Sequence, residues 1–166
     1  MRENETGSGE SVLMLDSDIA ELQRLEKFLD GFCTIESVPE EICYQLQIAL
    51  EELVVNVIKH GRCEPKKGAI RLAIKKQGAE VCAVLSDSGV GFNPLDAPPA
   101  DLTRSLLDRP VGGLGIHLVR HLIPSIRYER RGSRNYLYLT RPLKPGSGPV
   151  SPEEETYAHG DGNNQS

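Results

Sequence analysis

The strongest constraint on the fold is a pair of alternating segments that only two residues separate. Residues 68–77 (GAIRLAIKKQ) and Glu80–Asp87 (EVCAVLSD) alternate like paired strands on either side of Gly78-Ala79. A period of two is typical of a half-buried strand, and a short connection containing glycine is typical of a tight turn. The pattern therefore predicts a β-hairpin in the middle of the chain.

Two helices are predicted before this hairpin. A short apolar strand at Ser11–Leu15 is followed by apolar residues at helical spacing as far as Gly31, which is expected to end the first helix. A second helix is expected to begin after Pro39 and to keep the helical period to Gly61. Its segment VVNVI is β-branched and by itself suggests a strand, but the longer period favours a helix.

The second half of the chain begins with a long connection. Residues 89–111 are rich in proline, glycine and aspartate, and a connection this long is usually functional or mobile. A helix is predicted at residues 114–123, followed by strands near Ser125–Arg131 and at residues 135–140 across a glycine turn. Residues 142–166 contain almost no apolar side chains, so a disordered C-terminal tail is expected.

This order of elements favours an α/β fold of the α+β type. The strands fall in adjacent hairpins and the helices are grouped elsewhere, whereas a doubly wound sheet would need strand and helix to alternate. We therefore predict a two-layer sandwich in which a mostly antiparallel mixed sheet has helices on one face. A chain of 166 residues has room for one ordinary domain, which is predicted at residues 11–141.

Charge and composition argue against some classes of partner. A net charge of −5 argues against direct binding of nucleic acid, which requires a basic surface. No apolar run approaches the roughly 20 residues of a membrane span, and the polar start MRENETGSGE does not resemble a signal peptide. Five late arginines are expected to form a solvated face: Arg120, Arg127, Arg130, Arg131 and Arg134.

The four cysteines are Cys33, Cys43, Cys63 and Cys82. They have no CxxC spacing, and no cysteine and histidine quartet with zinc spacing can be drawn. Reduced and buried thiols in a cytoplasmic protein are therefore expected.

Three polar side chains recur at intervals of four residues in the second predicted helix: Glu52, Asn56 and His60. Positions four apart lie along one stripe of a helix. Asn56 stands in the apolar run LVVNVI, where a buried amide without partners costs about 1–3 kcal/mol. Either an internal hydrogen bond satisfies it, or the stripe faces a pocket. In a pocket, the carboxylate could take a proton or hold a water, and the amide oxygen could ligate a cation such as Mg²⁺.

A second polar cluster follows the predicted hairpin, at Asp87-Ser-Gly-Val-Gly-Phe92. Gly89 and Gly91 let the backbone approach a flat ligand closely, and the Asp87 carboxylate could accept a hydrogen bond from an exocyclic amine. The alternative is a plain turn, because Asp-Ser-Gly is common turn chemistry.

The third cluster, Gly112-Gly113-Leu114-Gly115, opens the helix IHLVRHLI. Glycines at a helix N-terminus expose backbone N–H groups and the positive end of the helix dipole, which suits phosphate. The segment lacks the GK[ST] of a P-loop, and no strand precedes it as a dinucleotide fold requires. The alternative is a flexible hinge.

Taken together, the three clusters resemble the GHKL-type ATP-binding fold of histidine kinases, gyrase, heat-shock chaperones and mismatch-repair ATPases. Within that superfamily the chain resembles the stand-alone anti-sigma-factor serine/threonine kinases. This likeness depends on ELVVN at residues 52–56 with His60-Gly61, on GFNP at residues 91–94 and on GGLGI at residues 112–116, and YERR at residues 128–131 also looks similar. The resemblance covers about residues 11–141.

The resemblance implies a histidine-kinase-like (Bergerat-type) fold and a Mg-ATP site. Asp87 would read adenine, Asn56 would hold Mg²⁺, and Glu52 would orient or deprotonate the attacking hydroxyl. Residues 89–111 would act as a lid. The implied nucleotide-binding set is Asn56, His60, Asp87, Gly89, Gly91, Phe92, Gly112, Gly113, Leu114 and Gly115.

The resemblance also implies partners. Such kinases phosphorylate a serine or threonine on a STAS-type anti-sigma antagonist and sequester a sigma factor by partner switching, often as homodimers. The helix at residues 18–30 is a reasonable contact surface. Asn93 stands where the family often has aspartate, and the long connection has no clear match, so no role is assigned to Asn93, Arg104 or Arg109.

Several other functions stay open at this point. The chain could be an ATP-binding module that switches partners without catalysis, or the catalytic fragment of a histidine kinase. A DNA-manipulating or chaperone ATPase would need a further transducer domain. The chain could also bind no nucleotide.

Overall fold

The computed structural model describes residues 9–61, 68–96 and 113–144. Predictions for residues 97–112 of the long connection, and for the tail from residue 145, lie outside the described residues. The elements in chain order are β1 Ser11–Leu15, α1 Leu22–Ile35, α2 Glu40–His60, β2 Ile70–Gln77, β3 Glu80–Asp87, α3 Gly113–Leu122, β4 Ser125–Arg131 and β5 Arg134–Pro142, with single 3-10 turns at Ile19–Glu21 and Pro94–Asp96.

The strands form one five-stranded sheet in the order β1-β2-β3-β5-β4. All four described pairings are antiparallel, so the predicted mostly antiparallel sheet contains no parallel pair among these strands. Both predicted hairpins are confirmed. Gly78 and Gly132 lie in their turns with φ of 59° and 56°, in the left-handed region that glycine adopts without a steric cost.

The helices cover one face of the sheet, as the predicted two-layer sandwich requires. On β5, Leu137 and Leu139 are buried in the core, while Tyr136 and Tyr138 are half-buried on the opposite face. Helix α2 contributes most to the core because its buried residues recur along nearly its whole length: Ile42, Leu46, Ala49, Leu50, Leu53, Val54 and Val57. Each fully buried leucine contributes roughly 1.5–3 kcal/mol to stability, which explains how a segment as β-branched as VVNVI is held as a helix.

The predicted end of the first helix at Gly31 is wrong. Helix α1 continues through Gly31 to Ile35. The reason is packing: Phe32 and Cys33, which follow the glycine, are buried in the core. Burial of these two side chains outweighs the cost of about 1 kcal/mol that glycine imposes inside a helix.

The predicted bounds of the second helix are confirmed. Helix α2 begins directly after Pro39, and its first turn carries acidic residues that favour the positive end of the helix dipole. At its other end the amide of Gly61 donates a hydrogen bond of 2.8 Å to the carbonyl of Val57. This cap places the backbone of Gly61 at the boundary between α2 and the candidate site.

The prediction of four reduced thiols is wrong for two of the cysteines. Cys33 near the end of α1 and Cys43 in the first turns of α2 form a disulfide, with their Cα atoms 6.0 Å apart. The pairing follows from the packing of α1 against α2, which cysteine spacing alone does not reveal. Cys82 is free and half-buried, and Cys63 lies outside the described residues.

No helix in the described part of the chain is long and apolar enough to cross a membrane. The same residues contain no group of three or more histidine, cysteine, aspartate or glutamate side chains that could hold a metal ion on their own.

Candidate functional site

The C-terminal end of α2 contacts the glycine turn after β3. The amide of Val90 donates a hydrogen bond of 2.8 Å to the carbonyl of Gly61, and the rings of His60 and Phe92 lie 6.2 Å apart between centroids. At Gly89 an added methyl group would overlap the carbonyl oxygen of Gly61 and lie 2.8 Å from Oδ1 of Asp87. The first and second polar clusters are therefore adjacent, and this close approach requires glycine at position 89.

The same helix contacts the third cluster through Glu52. A methyl group added to Gly115 would overlap Oε2 of Glu52 and lie 3.0 Å from its carboxyl carbon. Gly115 is in the first turn of α3, which begins at Gly113. The Glu52 carboxylate therefore lies beside the helix N-terminus that the GGLG segment forms.

Asn56 has an unsatisfied amide. Its Nδ2 is buried and has no hydrogen-bond partner. No other buried side-chain nitrogen or oxygen among the described residues lacks one. An orphaned buried donor costs about 1–3 kcal/mol, and a native protein keeps one chiefly where a ligand, ion or water will meet it. A half-turn of the amide exchanges nitrogen and oxygen, so the side chain can present Oδ1 to a hard cation. The unbonded Nδ2 argues against an internal hydrogen bond through that atom, and the amide type allows a Mg²⁺ ligand.

A narrow cleft that opens to solvent lies between α2, β3 and β5, with an enclosed volume of about 20 Å³. Its polar lining includes Asn56, Asp87, Tyr128 and Asn135, and its apolar lining includes Leu53, Val57, Phe92, Pro94 and Leu137. A mainly apolar pocket with a few convergent polar groups is the usual form of a small-molecule site. Of the predicted site residues, Asn56, Asp87 and Phe92 line it, while Glu52 and His60 lie outside its lining.

Asp87 is held from two directions. It is the last residue of β3 and is 5% exposed. Its Oδ1 accepts a hydrogen bond of 2.8 Å from the amide of Gly89 and one of 2.9 Å from Nδ2 of Asn135. The carboxylate therefore has a defined orientation at the cavity wall, beyond what the plain-turn alternative requires.

Sequence reasoning missed Asn135, which also binds Tyr128 and Arg130. Oδ1 of Asn135 accepts hydrogen bonds of 2.8 Å from the Tyr128 hydroxyl and 2.7 Å from the Arg130 guanidinium. Asn135 lies opposite Asp87 in the β3–β5 pairing and opposite Arg130 in the β4–β5 pairing. The β4–β5 hairpin is predictable locally, but the pairing of β5 with β3 joins segments 48 residues apart and has no local signal.

The arginines do not all behave as the predicted solvated face. Arg127 and Arg131 are exposed and form salt bridges of 2.9 Å and 2.6 Å with Glu129. Arg130 instead bonds to Asn135, and Arg120 donates a hydrogen bond to the carbonyl of Leu95. Arg130 is nonetheless exposed like Arg127 and Arg131, so the prediction is confirmed for these three, whereas Arg120 and Arg134 are half-buried.

The second glycine segment is only partly described. The backbone of Gly113, Leu114 and Gly115 lies in the first turn of α3, and nothing is described of the Leu114 side chain. Gly112 lies outside the described residues, as do Arg104 and Arg109. Because Gly115 lies beside Glu52, the N-terminal N–H groups and the positive end of the α3 dipole are at the end of the site near that carboxylate.

Two carboxyl groups near these elements have shifted pKa values. Burial raises the pKa of Glu51 above its ordinary value of 4.5, and the hydrogen bond with Gln47 only partly offsets this. The hydrogen bonds from Arg131 and Arg127 lower the pKa of Glu129 to about 2. Glu51 directly precedes Glu52 on α2, the helix that forms one wall of the site.

Comparison with known proteins identifies relatives of this architecture. A family model described as a histidine kinase-like ATPase domain matches residues 15–141. The serine/threonine-protein kinase BtrW of Bordetella bronchiseptica is 32% identical over 104 residues, which are 63% of this chain and 73% of that protein.

Among solved structures, the RsbU and RsbW domains of Rv1364c from Mycobacterium tuberculosis match with a TM-score of 0.62 at 16% identity. The match covers 87% of this chain and 35% of that one, so this chain spans about a third of the solved chain. At this identity the likeness concerns the fold alone.

Proposed function

Because the chain belongs to the histidine kinase-like ATPase domain family, we propose that it is an ATP-dependent serine/threonine protein kinase that also acts as an anti-sigma factor. A relative that is named a serine/threonine-protein kinase supports the kinase assignment within this family. The observation on which the proposal rests most is that one helix, α2, contacts both glycine segments. Its Gly61 accepts a hydrogen bond from Val90, and its Glu52 lies against Gly115.

The proposed base site is the cavity beside Asp87. Adenine presents an exocyclic amine, and the oriented Asp87 carboxylate can accept a hydrogen bond from it. The apolar side chains of Leu53, Val57 and Leu137 in the cavity wall suit a flat heterocycle. Gly89 and Gly91 are packed against Gly61 and Arg130, so they serve this site by holding the turn that carries Asp87.

The proposed phosphate site is the N-terminus of α3. The backbone N–H groups at Gly113 and Gly115 and the helix dipole would stabilise phosphate oxygens. Asn56 would hold Mg²⁺ through its amide oxygen, and the ion would supply positive charge to the β- and γ-phosphates. His60, Phe92, Gly112 and Leu114 complete the proposed nucleotide-binding set.

Glu52 is the proposed catalytic residue. Its carboxylate lies beside the first turn of α3, where the terminal phosphate is expected. It would orient the attacking serine or threonine hydroxyl and accept its proton as the oxygen bonds to the γ-phosphorus and the bond to ADP breaks. A general base of this kind contributes typically about 10²–10⁴-fold to a rate.

The proposed substrate is a STAS-type anti-sigma antagonist, and the proposed second partner is a sigma factor that the antagonist displaces. These partners come from the family resemblance of the motifs. The activity belongs in the cytoplasm, where ATP and sigma factors occur. A disulfide is uncommon in that compartment, so the state of Cys33 and Cys43 in the cell bears directly on the proposal.

The test is transfer of labelled γ-phosphate from Mg-ATP to STAS-type proteins of the same cell, by the parent, Glu52→Gln and Glu51→Gln. The Glu51→Gln variant is the matched control, because it removes the adjacent carboxylate of the same helix. We expect transfer by the parent and the control, and loss of about 10²-fold or more in Glu52→Gln with ATP binding retained. Binding of ATP without transfer to any such protein would support a non-catalytic partner-switching module instead.

A further inference from the structure

We infer that Asn135 positions Asp87 for selection of a 6-aminopurine over a 6-oxopurine, and that Tyr128 and Arg130 fix the orientation of Asn135. The inference rests on the proposed function, because it assigns a specificity-determining residue to the proposed base site. It starts from a side chain that sequence reasoning did not identify and that is 4% exposed at the cavity wall.

All the hydrogen-bonding capacity of the Asn135 amide is used. Its Nδ2 donates to Oδ1 of Asp87 and to the carbonyl of Val90, each at 2.9 Å. Its Oδ1 accepts from the Tyr128 hydroxyl and from the Arg130 guanidinium. A buried amide with two donors and two acceptor positions filled has one stable orientation.

The surrounding groups exclude the flipped amide. In the flipped orientation, Oδ1 would face the Asp87 carboxylate and the Val90 carbonyl, which are both acceptors. Nδ2 would then face the Arg130 guanidinium, which can only donate. Arg130 therefore acts on Asp87 indirectly, by keeping the donor side of Asn135 toward the carboxylate.

Arg130 also contacts the glycine turn itself. Its guanidinium donates a hydrogen bond of 3.3 Å to the carbonyl of Gly89. A methyl group added to Gly91 would lie 3.2 Å from Cδ of Arg130. Strand β4 thus contacts the turn through Arg130, in addition to the contact from the end of α2. The polar cluster formed by Tyr128, Arg130 and Asn135 ties both glycines of DSGVG to the position of Asp87.

Base selection follows from the orientation of the Asp87 carboxylate. An exocyclic amine at the purine 6-position donates to a carboxylate oxygen, whereas a carbonyl at that position opposes it with a second acceptor. Discrimination of this kind is large only when the polar group of the site is held in place, because a mobile carboxylate can turn away from the wrong base. Asn135→Ala removes a donor that orients Oδ1 of Asp87 and leaves the donor from the Gly89 amide.

The experiment compares equilibrium binding of ATP, GTP and inosine triphosphate, each with Mg²⁺, in the parent, Asn135→Ala and Tyr128→Phe. The Arg131→Ala variant is the matched control, because Arg131 lies on β4 beside the cluster but pairs with Glu129. We expect the ratio of ATP affinity to affinity for the two 6-oxopurines to fall about tenfold or more in Asn135→Ala. A smaller fall in the same direction is expected in Tyr128→Phe, and none in Arg131→Ala.

A merely structural role would weaken all three nucleotides equally and leave the ratio unchanged. An unchanged ratio in a folded Asn135→Ala variant therefore overturns the inference. If Asn135→Ala does not fold, Tyr128→Phe decides in the same way, since it removes one hydroxyl and keeps the ring. If the parent binds ATP selectively and both variants stay selective, the inference is refuted and the proposed function is not. If the parent binds no nucleotide, the proposed function is refuted, and the inference with it.

Discussion

The backbone amide of Val90 donates a hydrogen bond of 2.8 Å to the carbonyl of Gly61, and this bond joins the end of α2 to the glycine turn after β3. The two residues are far apart in the sequence, but the bond places the polar stripe of α2 next to Asp87. The contact between Glu52 and Gly115 joins the same helix to the start of α3. Helix α2 is therefore the element that relates the three predicted clusters to one another.

The first prediction concerns Gly89. Glycine is required at this position because a methyl group would overlap the Gly61 carbonyl, which accepts the hydrogen bond from Val90. We expect Gly89→Ala to destabilise the protein by about 1–3 kcal/mol and to weaken ATP binding. Gly31→Ala is the control, since nothing lies within 4 Å of its added methyl group, and it should stabilise α1 by about 1 kcal/mol. Urea unfolding measures both, and a Gly89→Ala variant as stable as the parent would contradict the geometry.

The second prediction concerns Asn56. Asn56→Ala removes an orphaned donor, and this gain offsets the loss of side-chain packing, so the free energy of unfolding should not fall by more than about 1 kcal/mol. The same variant should lose the rise in melting temperature that Mg-ATP gives the parent by mass action. Gln47→Ala is the control, since Gln47 lies on the same helix but outside the cavity lining, and it should keep that rise. A folded Asn56→Ala variant that still responds to Mg-ATP like the parent would remove Asn56 from the proposed metal site.

The third prediction concerns pH. The pKa of Glu51 is raised in the folded protein, so protonation of Glu51 favours folding. The stability from this group is fully present below the ordinary pKa of 4.5 and is lost as the pH rises through the folded pKa. Glu51→Gln should therefore be more stable than the parent at pH 7, by less than about 1 kcal/mol because the group is largely screened by solvent. Unfolding curves at pH 7 and pH 4 should show the gain only at pH 7. A variant less stable than the parent at pH 7 would reverse the sign.

The fourth prediction concerns the disulfide of Cys33 and Cys43. The bond closes a short loop with a sequence separation of 10. Loop-closure entropy then predicts that reduction lowers the free energy of unfolding by about 2–3 kcal/mol. Cys82→Ser should unfold like the parent with and without reductant, since Cys82 is unpaired. Identical unfolding of the parent in both conditions, with both thiols open to alkylation in the native protein, would show that the bond does not form in solution.

The sequence predicted most of the fold because the decisive signals are local. Alternation and glycine turns identify the hairpins, and Pro39 and Gly61 bound α2 at the observed residues. Gly31 misled the prediction of α1, because a glycine signal cannot reveal the burial of the residues after it. The disulfide and the position of Asn135 were missed for a related reason: both depend on which elements pack or pair across the fold.

The candidate site was predictable in residue types and only partly in geometry. The spacing of Glu52, Asn56 and His60 indicated one polar stripe, yet the structure separates its members. Asn56 lines the cavity, Glu52 lies against α3, and His60 lies near Phe92. A helical stripe fixes the order of side chains along one face, but the neighbouring elements decide what each side chain contacts.

The central claim is that three separate segments form one Mg-ATP site, and hydrogen–deuterium exchange of the full chain with and without Mg-ATP tests it most directly. We predict simultaneous slowing of exchange in the C-terminal half of α2, in the turn at residues 87–92 and in the first turn of α3. Exchange that Mg-ATP leaves unchanged in all three segments, or slows in only one of them, would contradict the claim.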